Sequence, residues 1–380
     1  MEKYYDYYEE NFKSSDVEGF NKAVTSHEEA IERIYCKPGD IRLYGITEIV
    51  NDEVTLVHDN GDGTIDTVTF KPESLPIWEN TQRFAGMALI LERGTFNERI
   101  LPVSDNVKLS VSNRTGLSFK GAISEQKISK TSLGKVMEDL IKQHNKNSMQ
   151  LICIEGKVQS ILTARYKATE QPVIFAAATD ILADMPAFSF AGGHVSHTSS
   201  IGVYQVQDIP ENKIQAFVAV SDSSTGDAGV TINPILKMNG RYASMDDAWF
   251  SRHCKIELSE IRSGTRAAIQ KAKDNVTLLA NTATIVLQNP LAYLKNAIEK
   301  LNGLAKRMGS LPIGKKAAQD LENNLEDMLW VSSKITVWDI IELLWDYPAQ
   351  STSDDNRLST ERTVSRILSL NHAELDVIKN

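Results

Sequence analysis

The sequence predicts an α+β fold, with an antiparallel, β-rich N-terminal and central region followed by a C-terminal helical layer. Three observations predict it. Between about residues 40 and 120, apolar side chains alternate with period two in short β-branched runs broken by Gly, Asn, Asp and Pro. A second set of such runs follows residue 148, in "MQLICIEG", "KVQSILTARY", "SIGVYQVQDI", "IQAFVAVSD" and "AGVTINPIL". Beyond about 245 the spacing becomes that of amphipathic helices. These changes divide the chain into a helical lead-in with a β-hairpin region at 1–104, an α+β core at 105–245 and a helical region at 246–380.

Within the lead-in, "SSDVEGFNKAV" and "SHEEAIERIY" read as helix, with Ser26 as a cap and Glu29 closing its box. Strands are expected in "IRLYGITEIV", "EVTLVHD", "TIDTVTF", "MALILER" and "VKLSVS". The stretch "HDNGDGTID", residues 58–66, has a calcium-loop look. Placing Gly63 at the sixth position of such a loop puts His58 first and Thr69 last, where carboxylates are needed. It therefore reads as a hairpin tip, because Asn60-Gly61 and Asp62-Gly63 tolerate positive φ. Leu133, Val136, Met137, Leu140 and Ile141 mark one face of a helix over 131–146. Toward the C-terminus, a stripe from Ile261 to Val286 predicts a long helix. Asn289-Pro290 starts another that Gly309 ends, and further helices are expected at about 315–333, 336–346 and 358–370.

Composition bounds the function. The 380 residues are 42% hydrophobic and 24% charged, ordinary values for a folded chain, and carry a net charge of −9. Cys36, Cys153 and Cys254 are odd in number and form no close pair, which argues against a disulfide framework or zinc ribbon and fits a reducing cytoplasm. No basic n-region opens the chain, and no stretch reaches the ~18 apolar residues of a membrane helix, so a cytoplasmic protein with no membrane partner is expected.

The chemical motifs are incomplete. "GSLPIGKK", Gly309 to Lys316, has phosphate-loop spacing, but Lys316 stands where Ser or Thr would hold magnesium, and the segment links two helices. His194 and His197 with His253 and Cys254 could furnish a zinc quartet, yet no second tight pair supports it, and they read as loop or strand residues. Asp246-Asp247 and Asp354-Asp355 fit helix starts. No nucleophile elbow is present. No metal, cofactor or catalytic residue is assigned, and an enzyme ranks as the third reading.

The positive signal is local charge. From Lys108 to Lys146 there are eight basic residues against three acidic ones in a chain of net −9. Arg114, Lys120, Lys127 and Lys130 lie in this stretch, and Arg262 and Arg266 fall one helical turn apart in a second. Arg165, Tyr166 and Lys167 combine guanidinium, aromatic ring and ammonium at a strand end. That is the chemistry that stacks bases and holds phosphates on single strands. These nine residues are the candidate nucleic-acid contacts.

The segment "GKVQSILTARYKATEQPVIFAAATDIL" presents Val158, Ile161, Leu162, Thr163 and Tyr166 in a strand leading to a helix. "VAVSDSSTGDAGVTINPILKMNG" adds Ser221, Asp222, Ser223, Gly226, Asn239 and Gly240. Together with "SRHCK" and "ITVWDIIELLW", these resemble the phage and plasmid proteins grouped as domain of unknown function 932, over roughly residues 105–370. Gln159 stands where that family usually has arginine, Lys237 and Met238 where it tends to carry a cysteine, and Glu342-Leu343 where it has Asn-Ala. The resemblance implies a mobile-element protein in a bacterial host's cytoplasm and brings no established activity. The function expected is non-catalytic binding of single-stranded nucleic acid, as a recombination or strand-annealing accessory. The alternative is a protein-interaction role, as an anti-defence factor or virion-associated component bound to host or phage proteins; oligomers are compatible with both. Here the acidic surface, the aromatic "YYDYYEENF" and the C-terminal helical layer would provide the contacts.

Overall fold

Period-two alternation becomes three antiparallel sheets in the computed structural model. It describes residues 17–378 except 77, 79–85, 109–110, 112–128, 145–146, 164–165, 167–168, 187, 196–198, 210–213, 227–228, 239–240, 245–248, 252–255, 283, 309–311 and 347–365.

The first sheet has five strands: β2 (Ile41–Val50), β3 (Glu53–Asp59), β4 (Ile65–Phe70), β5 (Met87–Leu91) and β6 (Arg99–Pro102), in the order β4-β3-β2-β5-β6. Both faces of its centre are covered, which is why β5 reads "MALIL" with every residue buried instead of alternating. Tyr44, Ile46, Leu56, Ala88 and Ile90 pack on one face with Trp78. Ile41, Leu43, Met87 and Leu89 pack on the other against α2 (Lys130–His144), through Leu133, Met137 and Ile141. Gly134 of that helix makes this approach possible, since a Cβ there would lie 2.8 Å from the Leu43 carbonyl oxygen.

The second sheet has three strands, β1 (Ile31–Cys36), β7 (Met149–Ile154) and β8 (Lys157–Thr163), in the order β1-β7-β8. One face completes the core beneath α2 with Leu151, Cys153, Val158 and Ile161.

The third sheet has β9 (Ser189–Val195), β10 (Ser200–Ile209), β11 (Ile214–Asp222), β12 (Val230–Met238) and β13 (Arg241–Ser244), in the order β13-β12-β11-β10-β9, with β14 (Trp249–Ser251) also on β12. Pro234 is tolerated inside β12 because it falls between the stretch paired to β14, which ends at Ile232, and the stretch paired to β13, which begins at Ile235. Three helices cover one face: α1 (Val17–Glu29), α3 (Gln171–Leu182) and α4 (Leu258–Thr282). Phe20, Phe175, Tyr204, Val218, Ile232 and Ile269 meet there. The same core runs on into α5 (Pro290–Met308), α6 (Lys315–Val331) and α7 (Val337–Asp346), through Tyr293, Leu321 and Ile341. A short helix, α8 (His372–Leu375), packs on α5. The α+β class and the carboxy-terminal helical layer therefore stand as the sequence predicts. No helix among the described residues is long and apolar enough to cross a membrane.

Local expectations fare unevenly. The helix of the lead-in is a single one, so Ser26 lies inside it, and "IERIYC" is the strand β1, paired along its whole length with β7. A six-residue ladder to a distant strand outweighs the weak helical preference of Glu and Arg. In "VKLSVS" the described residues Val107, Lys108 and Val111 are helical; the Val107 N–H donates to Ser104 O and Lys108 pairs with Asp105. Val136 points outward, 39% exposed, and Val286 lies beyond the end of α4 in an isolated bridge to Thr336. The hairpin tip forms as expected, with Gly61 and Gly63 at positive φ. Thr336 and Asp339 cap α7 reciprocally, through Thr336 N to Asp339 Oδ2 at 2.7 Å and Asp339 N to Thr336 Oγ1 at 3.3 Å. Asp246, Asp247, Asp354 and Asp355 lie outside the described residues, as does 358–365.

Candidate nucleic-acid interface

Cross-strand register defines one face of the three-stranded sheet. Tyr35 pairs with Gln150 and Gln150 with Leu162; Arg33 pairs with Ile152 and Ile152 with Ser160; Ile31 pairs with Ile154. Directly paired residues point to the same side of a sheet. This face therefore carries Arg33, Tyr35, Gln150 and Ser160 around an apolar floor of Ile31, Ile152, Ile154 and Leu162, against which Tyr166 packs. Tyr35, on the edge strand, is 69% exposed.

The loop after β11 leans over the Tyr166 end of the face. Tyr166 Oη donates to the Ser223 carbonyl at 3.3 Å, and a Cβ on Gly226 would lie 2.8 Å from the Tyr166 ring and 2.9 Å from Leu162. Gly226 has φ +73°, so glycine is required there both for backbone and for space. Leu162 and Tyr166 thus meet Ser223 and Gly226 at one point.

The other wall is the end of α1. Glu28 bridges two elements: Oε1 accepts from Arg33 Nη2 at 2.5 Å, and Oε2 accepts from the Gln171 N–H at 3.1 Å, placing a carboxylate at the start of α3. Helix N-termini favour such an anion. Ser200 Oγ donates to Gln171 Oε1 at 2.8 Å. His27 Nε2 lies 3.2 Å from Ser224 Oγ. Ser224 is buried, so this hydroxyl is screened from a substrate carbonyl, and the pair ties α1 to the loop.

Of the candidate contacts, Tyr166 is half-buried on this face, and Arg165 and Lys167 flank it in sequence but lie outside the described residues, as do Arg114, Lys120 and Lys127. Lys130 opens α2 on the other side of the shared core. Arg262 and Arg266 sit on α4, with Arg262 Nη2 3.2 Å from Asp180 Oδ2 and Arg266 exposed. Among the described candidates, the structure thus does not gather Lys130, Arg262 and Arg266 with Tyr166. Sequence reasoning missed Arg33, Tyr35, Gln150 and Ser160; in "IERIYC" the isoleucines fall three apart, a helical spacing, so no local signal marked the first two.

Other chemistry finds little support among the described residues. No group of three or more His, Cys, Asp or Glu could hold a metal there. His194 lies in β9, where burial lowers its pKa, while His197, His253 and Cys254 fall outside the described residues. Burial, helped by the charges of Asp40 and Glu92, pushes the Cys36 thiol up to about 12, and burial does the same to Cys153, so neither offers a thiolate. Pro312 to Gly314 of the phosphate-loop look-alike join α5 to α6 as a linker. No family model, curated protein or solved structure matches this chain.

Proposed function

We propose that this chain binds single-stranded nucleic acid without catalysing a reaction, as a recombination or strand-annealing accessory of a phage or plasmid in the bacterial cytoplasm. The observation that supports this reading is the shared face of Tyr35 and Tyr166, with Arg33 beside Tyr35 on the edge strand. The sequence sets Arg165 and Lys167 on either side of Tyr166. Flat rings stack on bases of any identity, and the cations hold the backbone, a pairing whose stacking part is worth about 1–3 kcal/mol per base. The resemblance to the phage and plasmid family adds the mobile-element setting by analogy alone.

Binding of a labelled strand of about 40 nucleotides, longer than the ~4–16 that one binding fold covers, tests it at two salt concentrations. Affinity should fall as salt rises, through release of condensed counterions. Tyr35→Ala should weaken binding about 5- to 150-fold, the equivalent of one lost stack. No binding at low salt overturns the reading.

A specific observation keeps the protein-interaction reading alive. At the end of α6, Trp330 and Val331 are 89% and 90% exposed, beside an open groove of about 410 Å³ lined by Met328, Ile335 and Asp339. An exposed Trp next to a groove is the residue type that dominates interface energies. Under this reading a purified host or phage partner binds the native chain and is lost with Trp330→Ser, while strand binding is untouched.

A further inference from the structure

Among the described residues thirteen large apolar side chains stand exposed, and six of them lie at one end of the helical layer: Ile285, Val286, Trp330, Val331, Val377 and Ile378. Trp330 and Val331 close α6, and Val377 and Ile378 follow α8. Ile285 and Val286 form a short ribbon with the segment entering α7, through Leu287 N to Ile335 O and Val337 N to Ile285 O, both at 2.9 Å. Asn296 Nδ2 donates to Val377 O at 3.0 Å and so fixes the C-terminal segment on α5. A concentration of exposed apolar surface of this kind marks an interaction site.

Two open grooves flank the end of α6. The smaller, about 410 Å³, has Met328, Val331 and Ile335 in its wall. The larger, about 650 Å³, is lined by Leu329, by Ile378 and by Pro290 and Leu291 at the start of α5. Successive helix residues turn by about 100°, so Trp330 stands on the ridge between Leu329 and Val331, with a groove to either side.

We infer that this surface docks a second copy of the chain about a two-fold axis, each copy's Trp330 entering a groove of the other. The inference rests on the protein-interaction reading of Trp330 and names the partner. Knob and hole sit on the same patch, which is what a self-complementary interface requires. Pockets of roughly 300–1,000 Å³ hold whole drug-sized molecules, so either groove has room for an indole. A small ligand or short peptide would fill a groove and leave the 89% exposed Trp330 in water.

Charge and area agree with a second copy. A two-fold axis along the ridge sets what lies on one side of it in one copy against what lies on the other side in its mate. The lining of the smaller groove carries Asp327 and Asp339 against Lys334, while that of the larger carries Lys295, 61% exposed and 3.7 Å from Glu322. Opposite net charges therefore meet across the axis. A standard interface takes about 800 Å² from each partner, of which one Trp supplies about 150–250 Å². The five other exposed apolar side chains and the groove walls extend the contact toward that size.

Sedimentation of the full chain at about 1 μM and about 100 μM tests this, since interfaces of standard size bind at micromolar affinity or tighter. The native chain should be a dimer at the higher concentration. Trp330→Ser and Val331→Asp should each raise the dissociation constant about thirtyfold or more, the scale of a hot-spot truncation. Circular dichroism of both variants should match the native chain, because both side chains already lie in water in a single copy. A native chain that stays monomeric at about 100 μM overturns the second copy and leaves the protein-interaction reading to a host or phage partner. A dimer that survives both substitutions puts the contact elsewhere and overturns the proposal as well.

Discussion

His58 Nε2 stands 3.0 Å from Glu138 Oε2, inside the protein, although eighty positions separate the two residues in the chain. The histidine comes from β3, just before the hairpin tip, and the glutamate from the buried face of α2. The same carboxylate accepts the Leu43 N–H at 2.9 Å and Lys142 Nζ at 2.5 Å, while the other ring nitrogen of His58 lies 3.1 Å from Asn60 Oδ1. One buried carboxylate therefore fastens a helix, a strand and a hairpin together.

That clamp should be acid-sensitive. Burial pushes the Glu138 carboxyl up, but hydrogen bonds from His58, Lys142 and Leu43, with the Lys142 charge, more than offset it and hold the pKa at about 2 against an ordinary 4.5. The unfolded chain takes the proton first, so the stabilisation is complete above about pH 4.5 and is lost as pH falls toward 2. Urea midpoints between about pH 2 and about pH 7 should decline less steeply in Glu138→Gln than in the native chain. At neutral pH, Glu138→Ala should cost about 3–5 kcal/mol, since it strands His58 and Lys142. Identical acid limbs in the native and Gln chains would rule the clamp out as the cause.

Gly134→Ala separates helix propensity from packing. Alanine is the better helix former by about 1 kcal/mol, so an unpacked helix would gain. Here the added carbon meets the Leu43 carbonyl oxygen at 2.8 Å, and neither backbone can move aside cheaply. A net loss of about 1–3 kcal/mol in denaturant unfolding is expected, and a gain would mean that α2 sits further from β2.

At the hairpin tip the carboxylates are committed to the chain. Asp62 Oδ1 accepts from Thr64 N at 2.9 Å and Thr64 Oγ1 at 2.6 Å, and Asp59 Oδ1 accepts from Gly61 N at 2.8 Å. Thermal melts in calcium and in chelator should therefore coincide. Gly63→Val should lower stability by about 1–2 kcal/mol through backbone strain alone, because φ is +87° and nothing lies within 4 Å of a Cβ there. A calcium-dependent rise in Tm that Asp62→Ala removes would restore the ion.

Asp376 clamps the two residues that lead into α5, although it lies far along the chain. Its Oδ2 and Oδ1 accept from Gln288 N and Asn289 N, both at 2.7 Å, and Asn289 Nδ2 donates back to Asp376 O at 3.0 Å. Asp376→Ala should cost about 1–3 kcal/mol, since two backbone N–H groups lose a charged acceptor, and should increase hydrogen exchange at Gln288 and Asn289. Unchanged exchange there would show that the lead into α5 holds without the carboxylate.

What was legible depended on how local its cause was. The hairpin at 58–66 and the start of α5 at Asn289-Pro290 could be read because glycine and proline act on their own backbone. β1 could not, since "IERIYC" becomes strand only where β7 offers a ladder. His58 read only as the end of a strand entering a hairpin tip, because nothing near it in sequence announces that α2 will bring Glu138 to it. At the interface, Tyr166 was visible through its basic neighbours, whereas Tyr35 and Gln150 became partners only through cross-strand register.

The sequence by itself determined the class of the fold, the change from alternating to helical periodicity near residue 245 and the local turns, because each follows from the conformational preferences of adjacent residues. Tertiary structure decided the rest: which strands share a sheet, which carboxylate is buried and which polar groups face one another. Those outcomes depend on contacts between residues distant in sequence, and no local preference encodes such a pairing.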